Sequence, residues 1–302
     1  MTEIPEIAAE WHEGERAIQL SAGVLDQMAP MASMIHAEFR ERHRSYFAQL
    51  PYVVIGAVDP LGDAWATMLT GEPGFLHCPD FSTLQVHAPI APTDPCSLGW
   101  VDGSAVGLLG IDLHVRRRVR VNGTLKRLGP DVCDIKVAQS YGNCGQFIRQ
   151  RHLSFVRDPE APGSNEARTL SSLDAVSRMM IENADTLFLA SYVDGDDGRR
   201  QVDVSHKGGW TGFVHVDLQG RLTIPDFPGN NYFNTLGNVF INPRCGILFS
   251  DFLTGDVLQI SGDGEVLLDV PEGDMFQGAA RLLRVAPRRI VVRPAALALR
   301  WV

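Results

Sequence analysis

Residues 1–50 place apolar side chains three and four positions apart, as in LSAGVLDQMAPMASMIHAEFRERHRSYFAQL, which predicts helix interrupted at Pro30. After Pro51 the period drops to two. Short apolar runs (YVVIGAV, AWATML, VGLLGIDLHV, RRVRVNGTLKRL, VCDIKVAQSY) are separated by turn formers such as DPLGD and TGEPG, and predict strands. The polar stretch RDPEAPGSNEA reads as a linker, and SLDAVSRMMIENA as a helix with Ser172 as candidate N-cap. Strand texture then resumes at TLFLASYV, RQVDVSH, FVHVDL, GRLTI and CGILF. The predicted division is a helical segment at 1–50, a β unit at 51–150, a linker and helix at 151–184, and a second β unit at 185–302.

The second β unit repeats the first. YVVIGAVDPLGDAWATMLTGEPGF and LFLASYVDGDDGRRQVDVSHKGGWTGF each run apolar strand, Val-Asp, turn, strand and a glycine-rich corner closing in Gly-Phe (Gly74-Phe75, Gly212-Phe213). VGLLGIDLHVRRRVRVNG lies without a gap on CGILFSDFLTGDVLQISG, matching Gly107 with Gly246, Leu109 with Leu248, Asp112 with Asp251 and Gly123 with Gly262. An internal repeat of this kind predicts a mainly β (α+β) chain: two tandem antiparallel barrels with flanking helices. The groove between the halves is then the place to look for a ligand. In this alignment Arg118 falls opposite Val257, so the two halves differ chemically in the groove.

Bulk composition narrows the function classes. The chain has 302 residues, 45% hydrophobic and 21% charged, with a net charge of −9. That balance suits a globular protein and argues against non-specific nucleic-acid binding. There is no signal-peptide pattern and no apolar run near the roughly 20 residues a bilayer span needs. The five cysteines are scattered without a CxxC pair, which predicts neither a disulfide framework nor a metal site. A cytoplasmic protein is expected, with no nucleic-acid or membrane partner.

One segment asks for more than a hairpin. IPDFPGNNYFNTLGNVFINPRCGILF spends amides and glycines between two apolar strands, where a two-residue turn would do. Together with SHKGGWTGF about 20 residues earlier, it resembles the pyridoxamine 5′-phosphate oxidase-like, FMN-binding split-barrel superfamily, in its bacterial two-barrel form. The resemblance covers residues 40–150 and 185–265 and rests on family-level motifs. It implies two split β-barrels and FMN between them. The flavin phosphate would be held by Asp203, Val204, Ser205, His206 and Lys207 on a strand, and by Gly229, Asn230 and Asn231 at a turn opening a short helix with Asn234. Where the simpler enzymes carry Ser-Arg-Lys this turn has Gly-Asn-Asn, so Lys207 and His206 are expected to bear more of the phosphate charge. GNCGQFI likewise lacks the lysine found in relatives.

The residue types suit that chemistry. Phosphate favours backbone N–H groups at a helix N-terminus, and glycine permits close backbone approach. Positive charge near a flavin ring stabilises its reduced form. In HVRRRVRVNG, Arg116, Arg118 and Arg120 share one strand face and Arg117 the other, so Arg116, Arg117 and Arg118 are candidates for the ring or substrate. Taken singly, each motif has a plainer reading: a capped turn, a strand-end Lys207, a structural His206, a solvated arginine face. The expected activity is hydride or two-electron transfer to or from a small molecule, with NAD(P)H or a separate reductase as electron partner. A homodimer is compatible with this. The alternative is a non-catalytic carrier of flavin, deazaflavin or haem, with His77, His114 or His215 as axial ligands for haem. No side chain is assigned as catalytic acid or base.

Overall fold

The computed structural model describes residues 10–143, 145–161, 166–195, 197–270 and 276–301. Cys144 and part of the linker, 162–165, lie outside the described residues. The strands of the first half are β1 (Tyr52–Val58), β2 (Ala64–Thr70), β3 (Leu76–His77), β4 (Thr83–His87), β5 (Ala105–Asp112), β6 (Arg117–Arg127) and β7 (Val132–Asn143). Between the halves come β8 (Leu153–Phe155) and β9 (Arg168–Leu170). The second half has β10 (Thr186–Asp194), β11 (Arg200–Gly208), β12 (His215–Val216), β13 (Leu222–Asp226), β14 (Arg244–Ser250), β15 (Val257–Leu267) and β16 (Arg281–Arg293); β17 (Leu299–Trp301) pairs with β8. The helices are α1 (Glu13–Ser21), α2 (Leu25–Met28), α3 (Glu41–Phe47), α4 (Ala175–Glu182) and α5 (Asn234–Ile241). Pro30 sits in a 3₁₀ turn, Ala29–Met34, that breaks the N-terminal helical run. Helix α4 is shorter than its periodicity predicts, and its N-cap is Asp174, which accepts from the Ser177 amide, rather than Ser172.

The repeat is exact in topology. One sheet runs β2-β1-β5-β6-β7-β4-β3 and the other β11-β10-β14-β15-β16-β13-β12, the same order strand for strand. Even the register break recurs: a bulge falls between Asn122 and Gly123 on β6 and between Ser261 and Gly262 on β15. The chain is a tandem of two antiparallel split barrels.

Alternation explains why β1 is buried at all seven positions. Val53, Ile55 and Ala57 point into the first barrel's core, while Tyr52, Val54 and Val58 join a second core that also holds Phe188, Ala190 and Tyr192 of β10. The barrels therefore share an apolar interface. Two of its close backbone approaches are reciprocal. A Cβ on Gly107 would stand 2.6 Å from the Val202 carbonyl oxygen, and one on Gly246 would stand 2.3 Å from that of Ala64. These pairs interchange under the repeat, so the halves pack about a pseudo-two-fold axis. No described helix is long and apolar enough to cross a membrane.

Candidate functional site

The strand order that buries β1 and β10 brings β6 of the first barrel against β11 of the second. Arg118 and Arg120 alternate onto one face of β6, and Ser205 and Lys207 onto one face of β11. Together with His206, the 225–231 turn and the first turn of α5, these line a cleft of about 110 Å³. Its enclosed room is below the roughly 300–1,000 Å³ of a drug-sized site. It suits the anionic end of a ligand rather than the whole molecule.

The charges are organised in layers. Asp203 is fully buried beneath the cleft and accepts from Asn122 (2.8 Å) and Asn238 (2.9 Å), with Arg120 at 3.6 Å. Arg120 also donates to Ser205 Oγ at 2.5 Å and to Asn234 Oδ1 at 3.1 Å. Ser205 in turn bonds Thr235 of α5. Nearer the mouth, Lys207 pairs with Asp226 at 2.5 Å, and Arg281 shares the same carboxylate at 3.2 Å. Among the described residues, the charged cleft groups and their ion-pair partners comprise four cations, Arg118, Arg120, Lys207 and Arg281, and two carboxylates, Asp203 and Asp226.

Helix α1 closes the far side. Gly14 touches Gly237 of α5 so closely that a Cβ there would stand 2.1 Å from the Gly237 carbonyl oxygen. The contact buries Glu15, whose Oε1 accepts from Asn234 Nδ2 at 2.6 Å. Burial, reinforced by Asp203, pushes the Glu15 carboxyl up to about 8, so it is mostly protonated at neutral pH.

The site residues expected from the sequence separate into two groups. Ser205, His206, Lys207, Gly229, Asn230, Asn231, Asn234 and Arg118 line the cleft. Asp203 and Val204 do not: Asp203 is the buried hub just described, and Val204 belongs to the interface core. Arg117 is exposed, stacks 4.5 Å over the Tyr46 ring and donates to the Arg42 carbonyl. Arg116 precedes β6 in an exposed turn with φ of 54°, which takes it off the Arg118–Arg120 face.

His206 corrects an expectation. Its Nδ1 faces Arg118 Nη1 at 3.2 Å, and a guanidinium only donates, so Nδ1 accepts and the proton sits on Nε2. Burial, with Arg118 and Lys207 next, holds its pKa well below the ordinary histidine value. His206 is neutral, and Arg118 and Arg120 supply the charge it was expected to carry. Arg120 shared the arginine face in the sequence; what hid its place was the partner strand, eighty-five residues away at Ser205.

An anionic ligand has open partners here. His206 Nε2 and Arg120 Nε are buried donors without a hydrogen-bond partner among the described residues, and both line the cleft; Asn143 Oδ1, orphaned beside them, is an acceptor that calls for a donor on the ligand. No side chain caps α5, leaving its first-turn N–H groups directed at the same space. The approach is conformationally demanding: Asn231 (φ 60°) and Phe233 (φ 57°) are left-handed within three residues, and Phe147 (φ 61°) across the mouth is too. The mouth is aromatic. Phe147 stacks on Phe227 at 5.0 Å, Trp210 lies 5.4 Å from Phe227, and Phe147 and Trp210 are about half exposed.

No protein-family model and no curated protein matches the chain. Among solved structures it is similar to a Clostridium acetobutylicum protein of the pyridoxinephosphate oxidase family related to general stress protein 26, with 11% identity over 40% of this chain and 88% of that one (TM-score 0.29). It is similar also to an FAD-binding protein from Mesorhizobium loti (16% identity, 43% of this chain and 98% of that one, TM-score 0.29). A third is HutZ, the haem storage protein from Vibrio cholerae (14% identity, 41% and 95%, TM-score 0.27). Each of these three spans less than half of this chain.

Proposed function

We propose that the chain binds FMN in the cleft between its barrels and serves as a flavin-dependent oxidoreductase acting on a small molecule. The observation that carries this is the convergence of Arg118 and Arg120 from one barrel with Ser205, His206 and Lys207 from the other beneath the uncapped N-terminus of α5. The residues fit the group: the orphaned donors of Arg120 and His206 suit phosphate oxygens, and the aromatic mouth suits a planar ring outside the enclosed room.

In this reading Arg120, Ser205, Lys207 and the first-turn amides of α5 hold the phosphate. Lys207 would do so by sharing its ammonium between the ligand and Asp226. Arg118, fixed by Nη1 donation to the His206 carbonyl at 3.2 Å, places its charge toward the ring end. Phe147, Phe227 and Trp210 exclude water from the mouth. When bound, the flavin supplies two-electron chemistry that no side chain here provides. The haem alternative has less support: His77, His114 and His215 are all exposed and none lines the cleft.

The absorption spectrum of the purified protein, with mass spectrometry of whatever heat releases, tests the proposal. FMN bands and released FMN are expected, and Lys207→Ala with Asn230→Ala should stay folded while losing most of the flavin. A Soret band, or a colourless protein that takes up no added FMN, would overturn it.

A further inference from the structure

The pseudo-two-fold gives every cleft residue a counterpart in the other half. Ladder registers fix the correspondence. Gly56 pairs Ala66 and Gly107 on its two sides as Ala190 pairs Val204 and Gly246, so Thr67 stands where Ser205 stands, and Leu69 where Lys207 stands. On the next strands Arg118 pairs Asn143 as Val257 pairs Arg293, which places Gln259 at Arg120 and Arg293 at Asn143.

At the counterpart position a carboxylate fills the space. Asp94 is buried and accepts from Thr67 Oγ1 (2.5 Å), from Gln259 Nε2 (2.9 Å) and from Arg293 Nη1. Those three partners are the counterparts of Ser205, Arg120 and Asn143. In the candidate site the same three positions line open space, and Arg120 there keeps an orphaned buried donor, Nε. The remaining ion cluster has no image in the first half, since Lys207 and Asp226 become Leu69 and Ala88.

We infer that the Asp94 carboxylate is a built-in stand-in for the ligand's anionic group. The first half is then a self-filled copy of the binding site, and the chain takes one anionic ligand, held by Ser205, Arg120 and Asn143. The inference rests on reading the cleft as an anion site, but it does not need the anion to belong to FMN. It also explains how a duplicated chain becomes asymmetric: one site keeps its cations for a ligand, and the other satisfies them internally.

Calorimetric titration with inorganic phosphate counts the sites. Wild type should bind one phosphate per chain and Asp94→Ala two. Ser205→Ala should lose the wild-type site without removing the one that Asp94→Ala creates. Asn143→Ala should weaken the wild-type site about tenfold, the loss of roughly one hydrogen bond. Should Asp94→Ala unfold because Arg293 is left buried and unpaired, phosphate should restore its folding. Asp94→Ala with Arg293→Met should fold at any phosphate level and keep to one site. The inference is overturned by a folded Asp94→Ala that gains no phosphate site, or by one that phosphate cannot rescue while the double variant folds. If FMN binding fails yet Asp94→Ala still gains a phosphate site, this inference stands and the cofactor assignment falls.

Discussion

Replacing Glu15 by Gln should make the protein progressively more stable than wild type as pH rises. Glu15 is buried near Asp203 and bonded to Asn234, and its carboxyl is pushed up to about 8 in the folded chain against an ordinary 4.5. Between those values the unfolded chain has released the proton and the folded chain has kept it. Wild-type stability therefore falls as pH rises through that window, is fully retained below 4.5 and levels off above about 8. The limiting slope is about 1.4 kcal/mol per pH unit, so roughly 2–3 kcal/mol is lost between pH 5.5 and 7.5. His206, held neutral, and His12, whose pKa burial also lowers, contribute with the opposite sign, since each gains a proton on unfolding in acid. They are common to both proteins and cancel in the difference. Gln reproduces the neutral acid's shape, with one acceptor for Asn234. Urea titrations of both proteins from pH 5 to 9 at fixed ionic strength measure the gap directly. Parallel profiles would refute the burial argument and place Glu15 in contact with water.

Other expectations follow from packing and charge. Gly14→Ala puts a methyl group 2.1 Å from the Gly237 carbonyl oxygen, so α1 must move off α5. A loss of about 1–3 kcal/mol is expected, with new proteolysis in 10–22 as the readout. Gly107→Ala drives a methyl group toward the Val202 backbone at the barrel interface and should cost a similar amount in urea titration. Arg118→Ala should retain flavin but shift its reduction potential downward, because charge that favours the reduced form is removed; spectroelectrochemistry reads this, and an unchanged potential would refute a ring-side role for Arg118.

Much of this architecture was readable from period and repeat. YVVIGAV and TLFLASYV announce strands buried on both faces, and the gap-free match of Gly107 with Gly246 and Gly123 with Gly262 agrees with the ladders. The match of Val58-Asp59 with Val193-Asp194 is out by one residue. The second hairpin runs further before turning, to Asp194 opposite Arg200, so its Val-Asp lies beyond the equivalent of the first. Local pattern cannot fix such a register, since only cross-strand partners do. The cleft was half legible. Ser205, Lys207 and the Gly229–Asn231 turn carry local signals, whereas Arg120, Asn143 and Glu15 reach it through strand order and helix docking. Asp203 looked like a phosphate-strand residue, and alternation does put it on the Ser205–Lys207 face, but it lies deeper along the strand, where Arg120 and the Asn122 and Asn238 amides enclose it.

The docking of α1 on α5 sets a timetable for synthesis. Glu15 and Asn234 are 219 residues apart. At 5–20 residues per second, helix α1 leaves the ribosome roughly 10–45 s before its partner exists. Through that interval Glu15 is hydrated and ionised. Seating α1 is then a late, proton-consuming step, since it cannot be completed before α5 has been made. A truncated chain ending before Asn234 would hold Arg118 and Arg120 and still lack the wall they face.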